Sequence, residues 1–265
     1  MLTALPTPLS HARSASPPRS GGDCQMGPAD LIELLGGVAD LAARSDTTRL
    51  AVLRVARGAM LVHEAAPADM LYVVRSGSFK CIKTAEDGYE HVLGFAWRSD
   101  VIGYDGLADQ RYVFAAVALE DSRVIALPRM ALRTLRLRHE ALDLAFQCLL
   151  ARQLAHAGDI AEVMAAVAAD ARLARFLVQL SSRMAACGQS PRRLLLRMSR
   201  RDIASYLGLA HETISRSLRV LSDAGCLRVA ERDVEILDAQ ALRRVARSTR
   251  GAADDEVRPA LACAA

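Results

Sequence analysis

Residues 199–221 read SRRDIASYLGLAHETISRSLRVL, and this stretch decides the fold of the C-terminal third. Ile203 and Leu207 lie one helical turn apart, with the small Ala204 beside them. Gly208 supplies a tight bend, Leu209 tucks inward, and Ile214, Leu218 and Leu221 form the apolar stripe of a second helix. A small residue where two helices cross, a glycine four positions later and a β-branched residue six further on is helix-turn-helix spacing. The outer face of the second helix then carries His211, Glu212, Ser215, Arg216 and Arg219. Positions 212 and 216 are i and i+4, so their side chains project together. In a major groove Arg216 suits guanine O6 and N7, and Glu212 suits a cytosine amino group. Ser199, Thr213 and Arg219 suit phosphates, with His211 as a further auxiliary contact. The plainer alternative is a solvated ion pair between Glu212 and Arg216.

The flanks agree with that reading. Leu173, Phe176, Leu177 and Leu180 make a helical face, 188–191 (GQSP) ends it, and 194–198 reads as a short strand. After Gly225 two apolar runs, 227–229 and 234–237, bracket Glu231-Arg232-Asp233, the pattern of a small β hairpin or wing. Charge is unevenly spread. Residues 28–138 balance 14 Lys+Arg against 14 Asp+Glu, residues 139–168 carry −3, and residues 169–250 carry 16 arginines against 8 acids. A basic third on a neutral body is the electrostatic footprint of a nucleic-acid partner, here double-stranded DNA.

Upstream, residues 139–168 are helical, and Phe146, Leu150, Gln153, Ala157, Ile160, Met164 and Val167 recur at spacings of 4, 3, 4, 3, 4 and 3. Such a seam predicts a parallel two-stranded homodimer, with Gln153 setting register and Ala157 allowing close approach, against the alternative of packing within the chain's own fold. Between 50 and 127 the pattern turns to short apolar runs at 50–55, 60–62, 70–74, 79–82, 91–95, 113–119 and 123–127, separated by glycine-containing turns. That is a small all-β sandwich or barrel. Residues 28–46 repeat Leu31, Leu34, Leu35, Val38 and Leu41 as one helix. Residues 1–27, rich in Pro, Ser, Gly and Ala, and the tail 251–265 read as disordered.

Composition narrows the function. No apolar run reaches about 18 residues, so no membrane partner is expected. Prolines 6, 8, 17 and 18 spoil a signal peptide, which points to the cytoplasm. Six cysteines, each more than 30 residues from the next, fit neither a disulfide framework nor a zinc motif. Neither a Ser/His/Asp constellation nor a phosphate loop stands out, which argues against an enzyme. Cys226, just after the second helix, and Cys187 are candidate oxidation sensors, against the plainer reading of small core residues.

The segments RSGSFK (75–80), LGF (93–95) and SPRRLLLRMSRRDIASYLGLAHETISR (190–216) resemble the Crp/Fnr transcription regulators, and specifically the Fnr branch. The resemblance implies an α+β chain: residues 28–138 a cyclic-nucleotide-binding-like β roll (jelly roll), 139–168 a dimerisation helix, and 169–250 a winged helix-turn-helix. It implies that Glu212, Ser215 and Arg216 read bases of a TTGAT–N4–ATCAA palindrome. The polar turn at 84–88, expected to be exposed, is the expected contact with RNA polymerase. The family's oxygen-labile four-iron cluster needs four thiolates. Here only Cys24 matches, with Gly27, Glu33 and Ile125 at the other three positions. Where the cyclic AMP branch holds its ribose and phosphate, this chain has Gly103-Tyr104-Asp105 and the apolar pair Val113-Phe114. The expectation is therefore a homodimeric regulator of anaerobic, redox or respiratory genes with neither cluster nor cyclic AMP. The alternatives are gating by haem (His63 or His91), nitric oxide or a small ligand, and thiol oxidation at Cys226 or Cys187.

Overall fold

The computed structural model describes residues 25–166 and 168–248, without the side chains of 156, 157, 159 and 162. It begins with strand β1 (Gln25–Met26) and helices α1 (Pro28–Leu34) and α2 (Leu41–Ser45). Then come β2 (Leu50–Val55), β3 (Met60–Val62), β4 (Met70–Ser76), β5 (Phe79–Thr84), β6 (Glu90–Ala96), β7 (Val101–Ile102), β8 (Ala115–Ala118) and β9 (Ser122–Pro128), with a 3-10 turn at Tyr104–Leu107. They form two antiparallel sheets, ordered β1-β2-β9-β4-β7 and β3-β8-β5-β6. Leu61, Val74, Phe79, Ile102 and Val124 pack between them as one core. A second core joins the outer face of the five-stranded sheet (Leu71, Val73, Ile125, Leu127) to Leu31, Ile32 and Leu35.

All seven expected strands are present, and two corrections apply at the N-terminus. Gln25 and Met26, inside the segment expected to be disordered, pair with Ala51 and Leu50. Residues 1–24 and 249–265 lie outside the described residues. The expected single helix over 28–46 is two, because Gly36 turns the chain at φ +86° and Val38 and Leu41 face solvent. A Cβ at Gly37 would stand 2.9 Å from Ile32 Cγ2 and 3.2 Å from Ala145. The glycine pair thus lets the chain pass close over the core, and periodicity cannot report that approach.

After the β roll, α3 (Arg129–Arg138) and α4 (Glu140–Ala165) are separated by the buried His139. Its Nε2 lies 2.7 Å from Asp46 Oδ2. The Thr48 hydroxyl and amide, with His139, hold the Asp46 carboxyl below the usual range. The C-terminal unit is α5 (Ala169–Ala186), β10 (Arg193–Leu195), α6 (Arg200–Leu207), α7 (His211–Asp223), β11 (Leu227–Ala230), β12 (Asp233–Ile236) and α8 (Ala239–Arg247). β10, β12 and β11 make a three-stranded antiparallel sheet. Leu173, Phe176, Leu177 and Leu180 of α5 meet Ile203, Leu207, Ile214, Leu218 and Leu221 in one core. Helix α8 was not expected. Its signals are Asp238, whose side chain accepts from the amides of Gln240 and Ala241, and an alternating Leu242/Ala246 face.

Gly77 is the tightest point of the roll. It sits at φ +90°, and a Cβ there would come within 2.8 Å of the Ser122 backbone. Gly77→Ala is expected to cost at least about 1–3 kcal/mol of stability, read as a fall in the urea unfolding midpoint.

Candidate nucleic-acid interface

Helix α6 starts on a reciprocal cap. Ser199 Oγ accepts from the Asp202 amide at 3.1 Å, while Asp202 Oδ2 accepts from the Ser199 amide at 2.8 Å and from its hydroxyl at 2.6 Å. The capping box closes two donors that the helix itself cannot satisfy. Ser199, expected at a phosphate, is therefore used to start α6. Gly208 ends it in the left-handed region at φ +62°, where a Cβ would meet the Met164 methyl at 2.9 Å. Ile214, Leu218 and Leu221 bury the inner face of α7, as its spacing requires.

Opposite that buried stripe, His211, Glu212, Arg216 and Arg219 are exposed, and Thr213 and Ser215 are half-buried. Glu212 and Arg216 form no ion pair with each other or with any other group among the described residues, so the plainer reading has no contact behind it. Arg219 does pair with Asp223 at 3.8 Å, but both are exposed and the pair contributes little. Ser215 Oγ accepts from Arg200 Nη1 at 3.1 Å. Arg200 thus braces the second helix against the start of the first. Sequence reasoning missed that role, and the only signal was a cation beside the cap. In the wing, Arg228 pairs with Glu235 at 3.1 Å across β11 and β12, and Glu231 turns the hairpin at φ +51°.

The seven residues expected at the dimer seam fare differently. Phe146 is buried, and Leu150 packs beside it, against the chain's own β roll. Gln153 and Ile160 line an internal cavity, and Met164 is 39% exposed. The Ala157 side chain and Val167 lie outside the described residues. The same helix carries a second heptad series at the same spacing: Leu144, Gln147, Ala151, Leu154, Gly158, Ala161 and Ala165 are all exposed. Leu144 is 60% and Leu154 77% exposed, unusual for leucines on one helix face.

The sensory positions do not fit the family's ligands. Gly27 caps α1, Glu33 bonds Arg44 at 2.6 Å, and Ile125 is fully buried among apolar side chains. These three residues supply no thiolate for an iron–sulfur cluster. Among the described residues, no three His, Cys, Asp or Glu side chains converge on a metal position. Where the phosphate of a cyclic nucleotide would need a cation, Asp105 accepts from the Val113 amide at 2.6 Å, and burial raises its carboxyl pKa. His63 and His91 are exposed on the roll. Cys226 is a core residue whose thiol is pushed up by burial, away from the reactive thiolate. Cys187 caps the end of α5.

The two halves are docked. Lys80 Nζ of β5 reaches Asp202 Oδ1 at 2.8 Å, and the Val92 amide of β6 donates to Ser205 Oγ at 3.0 Å. Arg197 pairs with Glu120 at 3.1 Å, and Arg183 pairs with Asp100 while lying 4.7 Å over the Trp97 ring. The interface thus joins the hairpin of the roll directly to the first helix of the helix-turn-helix.

Residues 171–245 match the Crp-like helix-turn-helix domain, and residues 52–139 the cyclic nucleotide-binding domain. The transcriptional regulatory protein btr of Bordetella pertussis is 34% identical over 73% of this chain and 80% of its own length. The fumarate and nitrate reduction regulatory protein of Escherichia coli K12 is 35% identical over 69% of this chain and 73% of its own. Among solved structures, FixK2 from Bradyrhizobium japonicum superposes with a TM-score of 0.67 at 28% identity, covering 75% of this chain and 98% of that one.

The docking makes a prediction about acid. Burial alone would raise the Asp202 carboxyl, but Lys80 and Ser199 together hold it below its usual range. A depressed folded pKa adds stability above the unfolded value of about 3.9, and that stability is lost as pH falls through the folded value. Asp202→Asn should therefore lower the urea midpoint at pH 7, and the gap to wild type should narrow below about pH 4.

Proposed function

The chain belongs to the Crp/Fnr family of DNA-binding transcriptional regulators, and on that premise we propose that it reads a TTGAT–N4–ATCAA-like palindrome as a homodimer. Glu212, Ser215 and Arg216 carry the base readout. The observation behind this reading is the pair of unpartnered, exposed side chains at 212 and 216 on a helix whose opposite face is wholly buried. A free arginine has its bidentate donors available for guanine, and a free glutamate accepts from cytosine. Ser215 is held in place by Arg200. Thr213, Arg219, His211 and the exposed Arg201 surround the readers as phosphate contacts, which set register without reading sequence. The function of the Escherichia coli relative, as its name gives it, supports control of anaerobic or respiratory genes. Gly27, Glu33 and Ile125 support a regulator that works without a cluster of its own.

The dimer uses α4, but with its face turned from the register read in the sequence. Phe146 and Leu150 are spent on the chain's own roll, whereas Leu144, Gln147, Ala151, Leu154, Gly158, Ala161 and Ala165 are free along one heptad stripe. Small residues at 151, 158, 161 and 165 allow close approach, and Leu154 sits at the centre. Two-fold symmetry then sets two α7 helices into major grooves one turn apart, which is why the operator is palindromic. The exposed turn at 84–88, closed by Gly88 and carrying Glu86 and Asp87, is the contact for RNA polymerase.

Four experiments test this. In fluorescence anisotropy at fixed salt, protein purified in air should bind the palindrome tightly and a scrambled duplex weakly; sequence-blind binding would remove the operator assignment. Arg216→Ala should cost about 1–3 kcal/mol on the palindrome and little on the scrambled duplex. Unchanged affinity would mean that the helix-turn-helix serves assembly instead. Leu154→Glu should convert the dimer to a folded monomer in sedimentation velocity, with the far-ultraviolet circular dichroism of wild type. Asp87→Ala should lower activated transcription while operator affinity stays at the wild-type level.

A further inference from the structure

Helix α3 carries Arg129, Arg133, Arg136 and Arg138 and no acid. Spacings of four and three set the first three on one face of the helix. That face borders a groove of about 420 Å³, in the range of sites that hold small organic molecules. Its floor is apolar, made by the buried Leu71 of β4, Leu132 of α3 and Phe146 of α4. Met130 and Leu137 stand at its rim, 69% and 81% exposed. The groove shares no residue with the internal cavity at Gln153 and Ile160, and none of its lining comes from the DNA-binding unit.

The three cations differ in what they have left to give. Arg136 is committed: it pairs with Asp143 at 2.6 Å and lies 4.9 Å over the Phe146 ring. Gln147 Nε2 donates to the other Asp143 oxygen at 2.7 Å, so that carboxylate is satisfied on both sides. Arg129 is half-buried and gives one N–H to the Leu107 carbonyl at 3.3 Å. Arg133 is exposed and has neither an ion pair nor a hydrogen bond among the described residues. The geometry points to a binding site for a free medium-chain fatty acid, its carboxylate on Arg129 and Arg133 and its alkyl chain over Leu132 toward Leu137. Helical side chains lean toward the N-terminus, so Arg133 reaches back toward Arg129 and both meet one head group. From Arg129 to Leu137 is about 12 Å along the helix, which an extended chain of about eight to ten carbons spans. The chain covers Met130 and Leu137, which otherwise stand in water. An anion without a tail leaves that apolar surface uncovered, and a cationic head meets like charge.

Calorimetric titration of the full-length protein with sodium hexanoate, octanoate and decanoate, each below its micelle concentration, tests the site. One ligand per chain is expected, with affinity rising about three- to fourfold per added methylene until the groove is filled. Octylammonium should bind about tenfold or more weakly than octanoate. Arg133→Glu and Leu137→Asp change exposed side chains, which keeps both variants folded, and each should weaken decanoate by about tenfold or more. Absence of decanoate binding, equal affinity for the two head groups, or undiminished binding in either variant overturns the site. Co-sedimentation with phosphatidylglycerol vesicles in place of soluble decanoate binding would assign the surface to a membrane and overturn it as well. None of these readouts involves DNA, so a failed operator assignment leaves the result unchanged.

Discussion

One carboxylate, that of Asp202, holds two levels of the structure together. Locally it completes the cap that starts α6; over the long range it receives Lys80 from the β5–β6 hairpin. Both side chains of this ion pair are largely covered, at 20% and 14% exposure, so neither is easily resolvated if the other is removed. A half-buried pair of this kind adds modest net stability but makes its own disruption expensive. The exposed Arg219–Asp223 pair on α7 has no such consequence. The Lys80–Asp202 pair is one of several contacts, with Val92–Ser205, Arg197–Glu120 and Arg183–Asp100, that set the helix-turn-helix against the roll.

Around that pair the interface is aromatic. Phe95, Phe176 and Tyr206 meet at centroid distances of 5.3–6.2 Å, bringing one residue of the roll against two of the DNA-binding unit. The rings are tilted against one another at 52–60°. The result is a polar latch at Lys80 and Asp202 beside an aromatic wall with space behind it. Such a junction can be biased from either side, because the two halves share few covalent constraints apart from α4 and its connection to α5.

Helix α4 carries two heptad series, and the fold surrounds them differently. Both heptad series are present in its sequence, one through Phe146 and Leu150 and the other through Leu144, Leu154 and Gly158. The first has the larger apolar residues and so reads as the seam. In the fold those residues are taken by the sheet, since Leu71, Ile125 and Leu127 need covering and Phe146 is the side chain with the area to do it. What stays exposed is the series with smaller side chains. Cys226, read as an oxidation sensor or as a small core residue, lies buried in one cluster with Leu221, Leu227 and Ile236.

The sequence alone determined most of the elements and their order, though not β1, the break between α1 and α2, or α8. Strand alternation, the helix-turn-helix spacing, Gly208 and the wing turn are all local, set by residues within a few positions of one another. It also determined the exposed face of α7, because the buried stripe of a short amphipathic helix leaves no choice about the other side. Only the tertiary structure decided which face of α4 stays free, that Ser199 serves its helix, that Arg200 braces Ser215, and that Lys80 meets Asp202 across 122 residues of sequence. The reason is one of range. Periodicity and capping report a residue's neighbours along the chain, whereas competition between surfaces for the same apolar face is settled only when all of them are folded.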